Sequence, residues 1–247
     1  PLRHSAQEVA PLRAQSSRPE HSGLELNHSR RVRSRLSAWR AAGASNQVLS
    51  WLSEGVRIPW NERGPPAPYN HGCASFTPTE RAWLTAEMSR SFLTGAWRRA
   101  EVRSHVSRAF VVYHKGKPRL VIDLRWLNEH TEHRRCRFEG LEKLRRMARH
   151  GDWMWSIDLT DAYYHVGIHE EDVHHFTFAI EVLDSEGQVY TEYISTPALN
   201  FGWTLAPWIF TTVMKVPVGV VRNPNVAERP QYGARRSKAA PCGDPTR

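Results

Sequence analysis

The spacing of hydrophobic residues changes several times along the chain, and each change predicts a different kind of element. Residues 1–29 are polar and have no sustained period, which predicts a disordered segment. Between Leu36 and Leu52 the apolar residues recur at helical spacing and stop at Gly55, so we expect two short helices. Residues 59–75 hold four prolines and two glycines, which is typical of a linker or wrapping loop.

A well-capped helix is predicted to begin at Thr77. The Thr77 side chain can cap the helix, Pro78 occupies a position where a missing N–H costs nothing, and Glu80 completes a capping box. Apolar residues at helical spacing then run from 83 to 93, and Gly95 ends the pattern. We expect this helix to be structural.

Three further helical segments follow from local patterns. The apolar positions of 141–148 predict a short amphipathic helix, and residues 169–175 predict a polar helical turn. That turn carries three histidines that we expect at the surface: His169, His174 and His175. Residues 205–213 place apolar side chains on one face of a third predicted helix, and Pro207 is tolerable in its first turn. Periodicity is lost after Lys215, which predicts that the folded part ends near residue 216.

Apolar and alternating runs predict five strands. Residues 110–113 and 120–122 flank a cationic turn and predict a β-hairpin, and residues 176–180 and 189–194 predict a second pair of strands. The apolar run 153–157 predicts a buried strand. Strands and helices in this mixture indicate an α+β fold.

Composition adds less than the net charge of +9 suggests. Residues 1–40 and residues 215–247 each carry a surplus of five positive charges, which together exceed the net charge by one. The basicity therefore lies in the tails and is weak evidence for a binding cleft. Three scattered cysteines indicate a reducing compartment, so we expect an intracellular location, in cytoplasm or nucleus. No apolar run is long enough for a membrane span.

The candidate chemistry begins where the predicted strand 153–157 ends. Asp158 follows that strand, and Asp161, Tyr163 and Tyr164 come shortly after. A carboxylate that leaves a buried strand is costly to desolvate unless a cation meets it, and a divalent ion is a common solution. The alternative is a strand end followed by a turn whose Asp caps the next helix. This stretch alone leaves both interpretations open.

Two other clusters have structural alternatives. The cationic hairpin tip could clamp phosphate, but lysines at a hairpin tip also protect ordinary sheet edges from aggregation. His130, His133 and Cys136 have a spacing that suggests zinc. No fourth ligand is near them and the loop 129–137 carries three arginines, so we do not assign a metal role to this loop.

Four stretches of the chain form a set in order and spacing over residues 105–214. They are Lys115–Arg119 with Asp123, Arg125, Leu127 and Asn128; Asp158–Tyr163; Phe176–Phe178; and Leu199–Trp203 with Ala206, Pro207 and Phe210. This set resembles the fingers hairpin, the first catalytic motif, the strand after it and the Phe-Gly motif of reverse transcriptases, most of all those of retrotransposons. Asn200 stands where that family usually has Pro. The pattern upstream, 39–55, is similar to that of DIRS-type elements.

The resemblance implies a role for each matching residue. Asp158 would be the catalytic carboxylate and, with the Leu159 carbonyl, a ligand of Mg²⁺ or Mn²⁺, of which the intact family holds two. The implied nucleotide-binding residues are Lys115, Arg119, Asp161, Ala162, Tyr163, Phe201 and Gly202, with Tyr163 as the gate against a ribose 2′-OH. The implied nucleic-acid contacts are Lys117, Arg125, Asn128 and Trp203. The implied partners are an RNA or DNA template-primer and a dNTP, and no membrane.

The resemblance also implies a fold and its boundaries. We expect a partial polymerase right hand, with fingers and an incomplete palm built on an antiparallel sheet with flanking helices. The expected regions are a disordered basic tail (1–35), short helices with a Pro-rich linker (36–76), fingers and palm (77–216) and a second disordered tail (217–247).

The second catalytic motif of the family, Tyr-x-Asp-Asp, has no counterpart in the sequence, which contains no Asp-Asp pair. One carboxylate cannot hold two cations in register. We therefore expect a truncated or frame-shifted retrotransposon polymerase, a nucleotidyltransferase by resemblance, that does not polymerise alone. One alternative is a non-catalytic nucleic-acid binder that contacts phosphates. Another is a fragment that does not fold stably, because the incomplete palm leaves an open sheet edge.

Overall fold

The computed structural model describes residues 27–222, apart from residues 139, 141, 143–144, 147 and 153–155. Most of both predicted tails, residues 1–26 and 223–247, lies outside the described residues. The same holds for the apolar positions of the predicted short helix, Leu141, Leu144 and Met147.

Three short helices open the described part of the chain: α1 (His28–Arg33), α2 (Leu36–Ala41) and α3 (Asn46–Glu54). The last two are the helices that the sequence predicted. Helix α1 lies inside the expected disordered tail, so that expectation is wrong for residues 28–33. Asn27 caps α1 by accepting a hydrogen bond from the Arg30 N–H (3.1 Å), and the His28 ring packs 4.6 Å from that of His165. A cap and a distant contact order a segment whose composition is polar.

Six strands form one mixed sheet within the described residues. They are β1 (Tyr69–Asn70), β2 (Arg98–Arg99), β3 (His105–His114), β4 (Lys117–Ile122), β5 (Thr177–Leu183) and β6 (Val189–Ser195), in the order β1-β3-β5-β6-β2 with β4 paired to β3. Strands β1 and β5 both run parallel to β3, so the expected antiparallel sheet is wrong. A long connection separates β3 from β5, and such a crossover permits parallel pairing.

Both predicted hairpins are present. Strands β5 and β6 pair antiparallel over their full length, from Thr177 opposite Ser195 to Leu183 opposite Val189. Strands β3 and β4 pair antiparallel around a two-residue turn at Lys115 and Gly116, which is shorter than the predicted turn. Both turn residues have positive φ (50° and 74°), as hairpin turns that match the strand twist require.

Three longer or later helices complete the fold: α4 (Pro78–Leu93), α5 (Arg125–His130) and α6 (Ala206–Arg222). Helix α6 continues past the predicted end near 216 and contains Pro217. Proline removes one backbone hydrogen bond, but Val216 before it packs on the core and Val218 after it lines an apolar cavity, so the helix continues. None of the described helices is both long and apolar enough to cross a membrane.

The predicted buried strand 153–157 is the main departure from expectation. Trp153–Trp155 lie outside the described residues, while Ser156 and Ile157 are not in a strand, and Ile157 is 71% exposed. The expected strand is therefore wrong at the two positions that the structure describes. An apolar run forms a strand only where it can pair with the edge strand of a sheet. A run this short does not identify the strand with which it would pair. Two 3-10 helices follow, Ala162–His165 and Glu170–Phe176.

Two hydrophobic clusters hold these elements. The first joins α3, α5 and α6 around the buried side chains of Trp203 and Phe176. The second fills the space between α4 and the sheet, where Leu84 and Met88 meet Phe178 and Ile180 of β5. Ile122, at the end of β4, packs against both clusters. The end of the β3–β4 hairpin is therefore anchored on two sides.

The capping box of α4 yields a stability prediction. Thr77 Oγ1 accepts a hydrogen bond from the Glu80 N–H (3.3 Å), and Glu80 accepts one from the Thr77 N–H (2.8 Å). We expect Thr77→Ala to lower the free energy of unfolding by about 1 kcal/mol, because it removes the cap. Thr79→Ala, an exposed change in the same first turn, should alter it by less than about 0.5 kcal/mol.

Chemical denaturation of both variants and the wild type measures this difference. Equal free energies for Thr77→Ala and Thr79→Ala would show that the cap does not contribute. A broad, non-cooperative transition in the wild type would instead support the alternative that the fragment does not fold stably.

Candidate functional site

An amide side chain ties the Phe-Gly bend to α5. Asn128 Nδ2 donates a hydrogen bond to the Gly202 carbonyl (2.8 Å), and Asn128 Oδ1 accepts one from the Thr204 N–H (2.9 Å). Both ends of the amide are therefore used, and the two bonds span the bend 201–204. Asn128 thus acts in the described structure as a positioning residue rather than as a free nucleic-acid contact.

Gly202 occupies a position that only glycine fits without strain. Its φ is +94°, and a Cβ built there would lie 3.4 Å from the Ile122 carbonyl oxygen at the end of β4. The backbone of the bend therefore lies directly against the base of the hairpin. Phe201, the preceding residue, points outward and is 66% exposed.

Tyr163 connects the Asp158–Tyr163 stretch to this bend. Its ring stacks on Phe201 with centroids 4.5 Å apart and an interplanar angle of 27°, and it meets Phe210 of α6 edge-on at 5.3 Å. Burial raises the pKa of the Tyr163 hydroxyl above its ordinary value. The contact brings two of the four predicted motifs together, and Asn128 adds the third.

Asp161 is held in a conformation that few residues adopt. Its φ is +54° and ψ is +39°, in the left-handed region that Asp tolerates better than most side chains. Its carboxylate lies 3.4 Å from Arg90 Nη1 of α4 and 3.6 Å from His28 Nε2 of α1. A hydrogen bond to Glu87 and the negative charges of Glu87 and Asp161 raise the pKa of Arg90. The Asp161 charge is thus compensated within the protein, and what this turn can offer an anion is its backbone.

The carboxylate of Asp158 is available. Residues 156–160 are exposed, and Asp158 makes no hydrogen bond or ion pair with any residue that the structure describes. Searched over the described residues, no group of three metal-ligating side chains includes Asp158. Leu159 beside it lines an apolar cavity of about 460 Å³ with Trp39 and Phe210, whose walls do not suit a triphosphate.

The hairpin tip is cationic and open. Lys115, Lys117 and Arg119 are exposed, and none of their side chains is paired with another described residue. In the strand register, Lys117 lies opposite His114 and Arg119 lies opposite Val112. Both cations therefore share a face of the hairpin with exposed Phe110. Arg125, by contrast, forms two hydrogen bonds to Asp123 (2.9 and 2.7 Å), and this contact holds the pKa of Asp123 below its ordinary value.

Trp203 does not belong to the site, contrary to the prediction. It is 1% exposed, packs edge-on against Phe176 at 5.2 Å, and its indole N–H donates to Thr131 Oγ1 at 3.4 Å. A buried indole with a satisfied donor is a core residue and cannot contact nucleic acid. The apolar residues that follow in 205–213 are the signal in the sequence for this burial.

The expectation that the histidines of 169–175 lie at the surface is wrong for His175. That ring is 6% exposed and lies beside those of His105 and His174. In the loop 130–136, whose spacing suggests zinc, His130 Nδ1 donates to the Gly64 carbonyl (2.9 Å) and Cys136 contacts Thr211. Sequence reasoning missed the trio of His105, His174 and His175 because His105 is distant in the chain.

Part of the chain is similar to a known protein family. Residues 108–227 match the family model described as reverse transcriptase (RNA-dependent DNA polymerase). No curated protein matches the chain. The matched segment contains the hairpin from residue 108 onward, α5, Asp158, Tyr163 and the Phe-Gly bend.

The bend yields the second prediction. Gly202→Ala should lower the free energy of unfolding by at least about 1 kcal/mol, because it forces a side chain into positive φ against the Ile122 carbonyl. Gly219→Ala is the matched control, since Gly219 lies in α6 with no atom near its Cβ position. That change should raise the free energy by about 0.5–1 kcal/mol.

Denaturant titration of the two variants measures the predicted decrease and the predicted increase in the free energy of unfolding. A Gly202→Ala protein as stable as the wild type would mean that the bend does not need glycine.

Proposed function

Because residues 108–227 match the reverse transcriptase family model, we propose that the chain carries the fingers and part of the palm of a retrotransposon RNA-directed DNA polymerase. The chemistry of such a domain is nucleotidyl transfer, in which a primer 3′ hydroxyl attacks the α-phosphate of a dNTP and pyrophosphate leaves. The resemblance of residues 39–55 to DIRS-type elements is the basis for proposing a DIRS-like element as its source.

One observation carries this proposal. The Tyr163–Phe201 stack and the two hydrogen bonds of Asn128 bring residues of three separate sequence motifs into contact. These contacts join residues far apart in the chain, and a chance match of short motifs gives no reason for them to meet.

In this proposal the incoming nucleotide lies over the Phe201–Gly202 bend. Tyr163, stacked on Phe201, would meet the sugar and exclude a 2′-OH by steric contact. Lys115 and Arg119 of the hairpin tip would bind the triphosphate, with Arg119 able to contact two oxygens at once. The N–H groups of Asp161 and Ala162, which donate to no carbonyl among the described residues, would bind phosphate as well.

A divalent cation fits Asp158 only in part. The exposed carboxylate and the Leu159 carbonyl are the hard oxygen donors that Mg²⁺ or Mn²⁺ prefers, and substrate phosphates would complete the coordination. One such ion would polarise the reacting phosphate. Two ions need more carboxylates than this site has, because Asp161 is engaged by Arg90 and His28. We therefore propose that these 247 residues bind a metal-nucleotide but do not complete polymerisation alone.

The test is a Mn²⁺ titration of the full 247-residue chain with primer-template and dNTP, monitored by the EPR signal of free Mn²⁺. We expect dNTP-dependent Mn²⁺ binding in the wild type and about tenfold or more weaker binding in Asp158→Asn, because the variant loses a charged ligand. Asp184→Asn, which removes a charge at the β5–β6 turn, should leave the binding unchanged.

Primer extension in the same mixtures tests whether the chain polymerises, separately from whether it descends from a polymerase. We expect no incorporation by the wild type. Incorporation that survives Asp158→Asn would refute the site, and incorporation abolished by Asp158→Asn would refute only the proposed inactivity.

A second candidate is a non-catalytic nucleic-acid binder. The observation that favours it is the open cationic face of the β3–β4 hairpin, where exposed Phe110 and Val112 lie between Arg108 and Arg119. Basic side chains without internal partners can bind phosphates without any chemistry.

This candidate predicts a change in salt dependence. Replacing Lys115, Lys117 and Arg119 by Ala should reduce the slope of log affinity against log salt by about 0.9 for each duplex phosphate that the variant no longer neutralises. Arg99→Ala is the control. Arg99 lies on β2, at the far edge of the sheet, and its side chain forms an ion pair with Glu192 (3.2 Å). Filter binding over a series of salt concentrations measures both slopes. An unchanged slope in the triple variant contradicts a phosphate-binding role for the hairpin.

A further inference from the structure

Parallel pairing brings three histidines together at one end of the sheet. Strands β3 and β5 pair with Val106 opposite Thr177, so the residues just before those positions lie side by side. His105 begins β3, while His174 and His175 lie in the last turn of the 3-10 helix Glu170–Phe176 that leads into β5. The cluster is therefore a product of strand register, and nothing in the polymerase site uses it.

The three rings form a compact group. Ring centroids are 4.0 Å apart for His174 and His175, 4.3 Å for His105 and His175, and 5.2 Å for His105 and His174. One ring nitrogen from each lies within 4.8 Å of the other two. His105 and His175 are each 6% exposed, and His174 is half-buried, which leaves one side of the group open to solvent.

The hydrogen bonds of His105 identify Nδ1 as the nitrogen with the lone pair, which a metal ion would bind in place of the Ser104 hydroxyl. His105 Nε2 lies 3.1 Å from the Pro66 carbonyl oxygen, to which only a protonated nitrogen can donate, so Nδ1 of a neutral ring carries the lone pair. Such a bond to a carbonyl orients metal-binding histidines in many proteins. Ser104 Oγ lies 2.8 Å from that Nδ1 and is the donor it now accepts from.

His175 supplies an independent observation. Its Nδ1 is buried and has no hydrogen-bond partner among the described residues. Its ring is packed edge-on against Trp60 at 4.8 Å and also lies against the imidazoles of His105 and His174. A buried polar atom without a partner is costly, and such an atom in a native structure commonly indicates an ion or water that completes it.

We propose that His105, His174 and His175 bind one transition-metal ion of the Zn²⁺ class through their ring nitrogens. Three imidazoles without a carboxylate suit Zn²⁺, Co²⁺, Ni²⁺ or Cu²⁺ and do not suit Mg²⁺, which prefers oxygen ligands. A tetrahedral ion with Zn–N bonds near 2.0–2.1 Å requires nitrogens about 3.4 Å apart. The ring nitrogens, which lie within 4.8 Å of one another, would have to approach by up to about 1.4 Å, and water would take the fourth position.

The ion has a structural consequence. It connects the first residue of β3 to the segment that leads into β5, and it replaces a buried unpaired nitrogen by a metal bond. Metal binding then adds to the stability of the folded state, because the unfolded chain does not hold the three rings together. The proposal depends on the strand register and the ring geometry, and not on the polymerase function.

The experiment uses the full chain after chelator treatment, titrated calorimetrically with Zn²⁺ and, in parallel, with Co²⁺ monitored by visible absorption. We expect one ion per chain, a Co²⁺ spectrum typical of tetrahedral coordination, and a higher melting temperature with Zn²⁺. His174→Gln and His175→Gln should each weaken the affinity at least tenfold, since changes even beyond the direct ligands cost about 10–100-fold.

His133→Gln is the matched control. His133 is exposed and belongs to the loop 130–136, to which no metal role is assigned, so its replacement should leave affinity and melting temperature unchanged. Far-UV circular dichroism verifies that each variant folds. If His175→Gln does not fold, the variant of half-buried His174 tests the metal site. Absence of binding, equal affinity in His174→Gln and wild type, or loss of binding in His133→Gln overturns the proposal.

Discussion

The two hydrogen bonds of the Asn128 side chain are the contact on which the candidate site depends. They fix the Gly202 carbonyl and the Thr204 N–H relative to α5, and α5 follows directly from β4 of the hairpin. With the bend held there, Phe201 stands outward against Tyr163 while Trp203 enters the core. One amide therefore separates two adjacent aromatic residues into an exposed surface and a buried anchor.

A second constraint is the parallel pairing of β3 with β5. It places β5 in the middle of the sheet, where nearly every side chain of Thr177–Leu183 is buried. The same register brings His105 beside His175, so the core of the sheet and the histidine cluster have one cause. The histidine cluster offers nitrogen donors only, whereas the side chains of Asp158 and Asp161 offer oxygen donors.

Much of the local structure could be read from the sequence. The capping box at Thr77 and the β3–β4 and β5–β6 hairpins depend on neighbouring residues, and each is present. The family resemblance was also legible, because motif order and spacing are properties of the chain. Expectations failed where a partner lies far away: residues 156–157 are not a strand, His175 is not at the surface, and α6 continues beyond 216.

The sequence by itself determined which segments could cap, turn or pair locally, and which four motifs occur in which order, since these depend on residues a few positions apart. Only the tertiary structure decided that the sheet is mixed, that Trp203 is buried while Phe201 is exposed, and that three histidines meet. Those outcomes depend on strand register and on which face an element turns to its neighbours. Burial and charge compensation are properties of such distant contacts, and a one-dimensional pattern does not contain them.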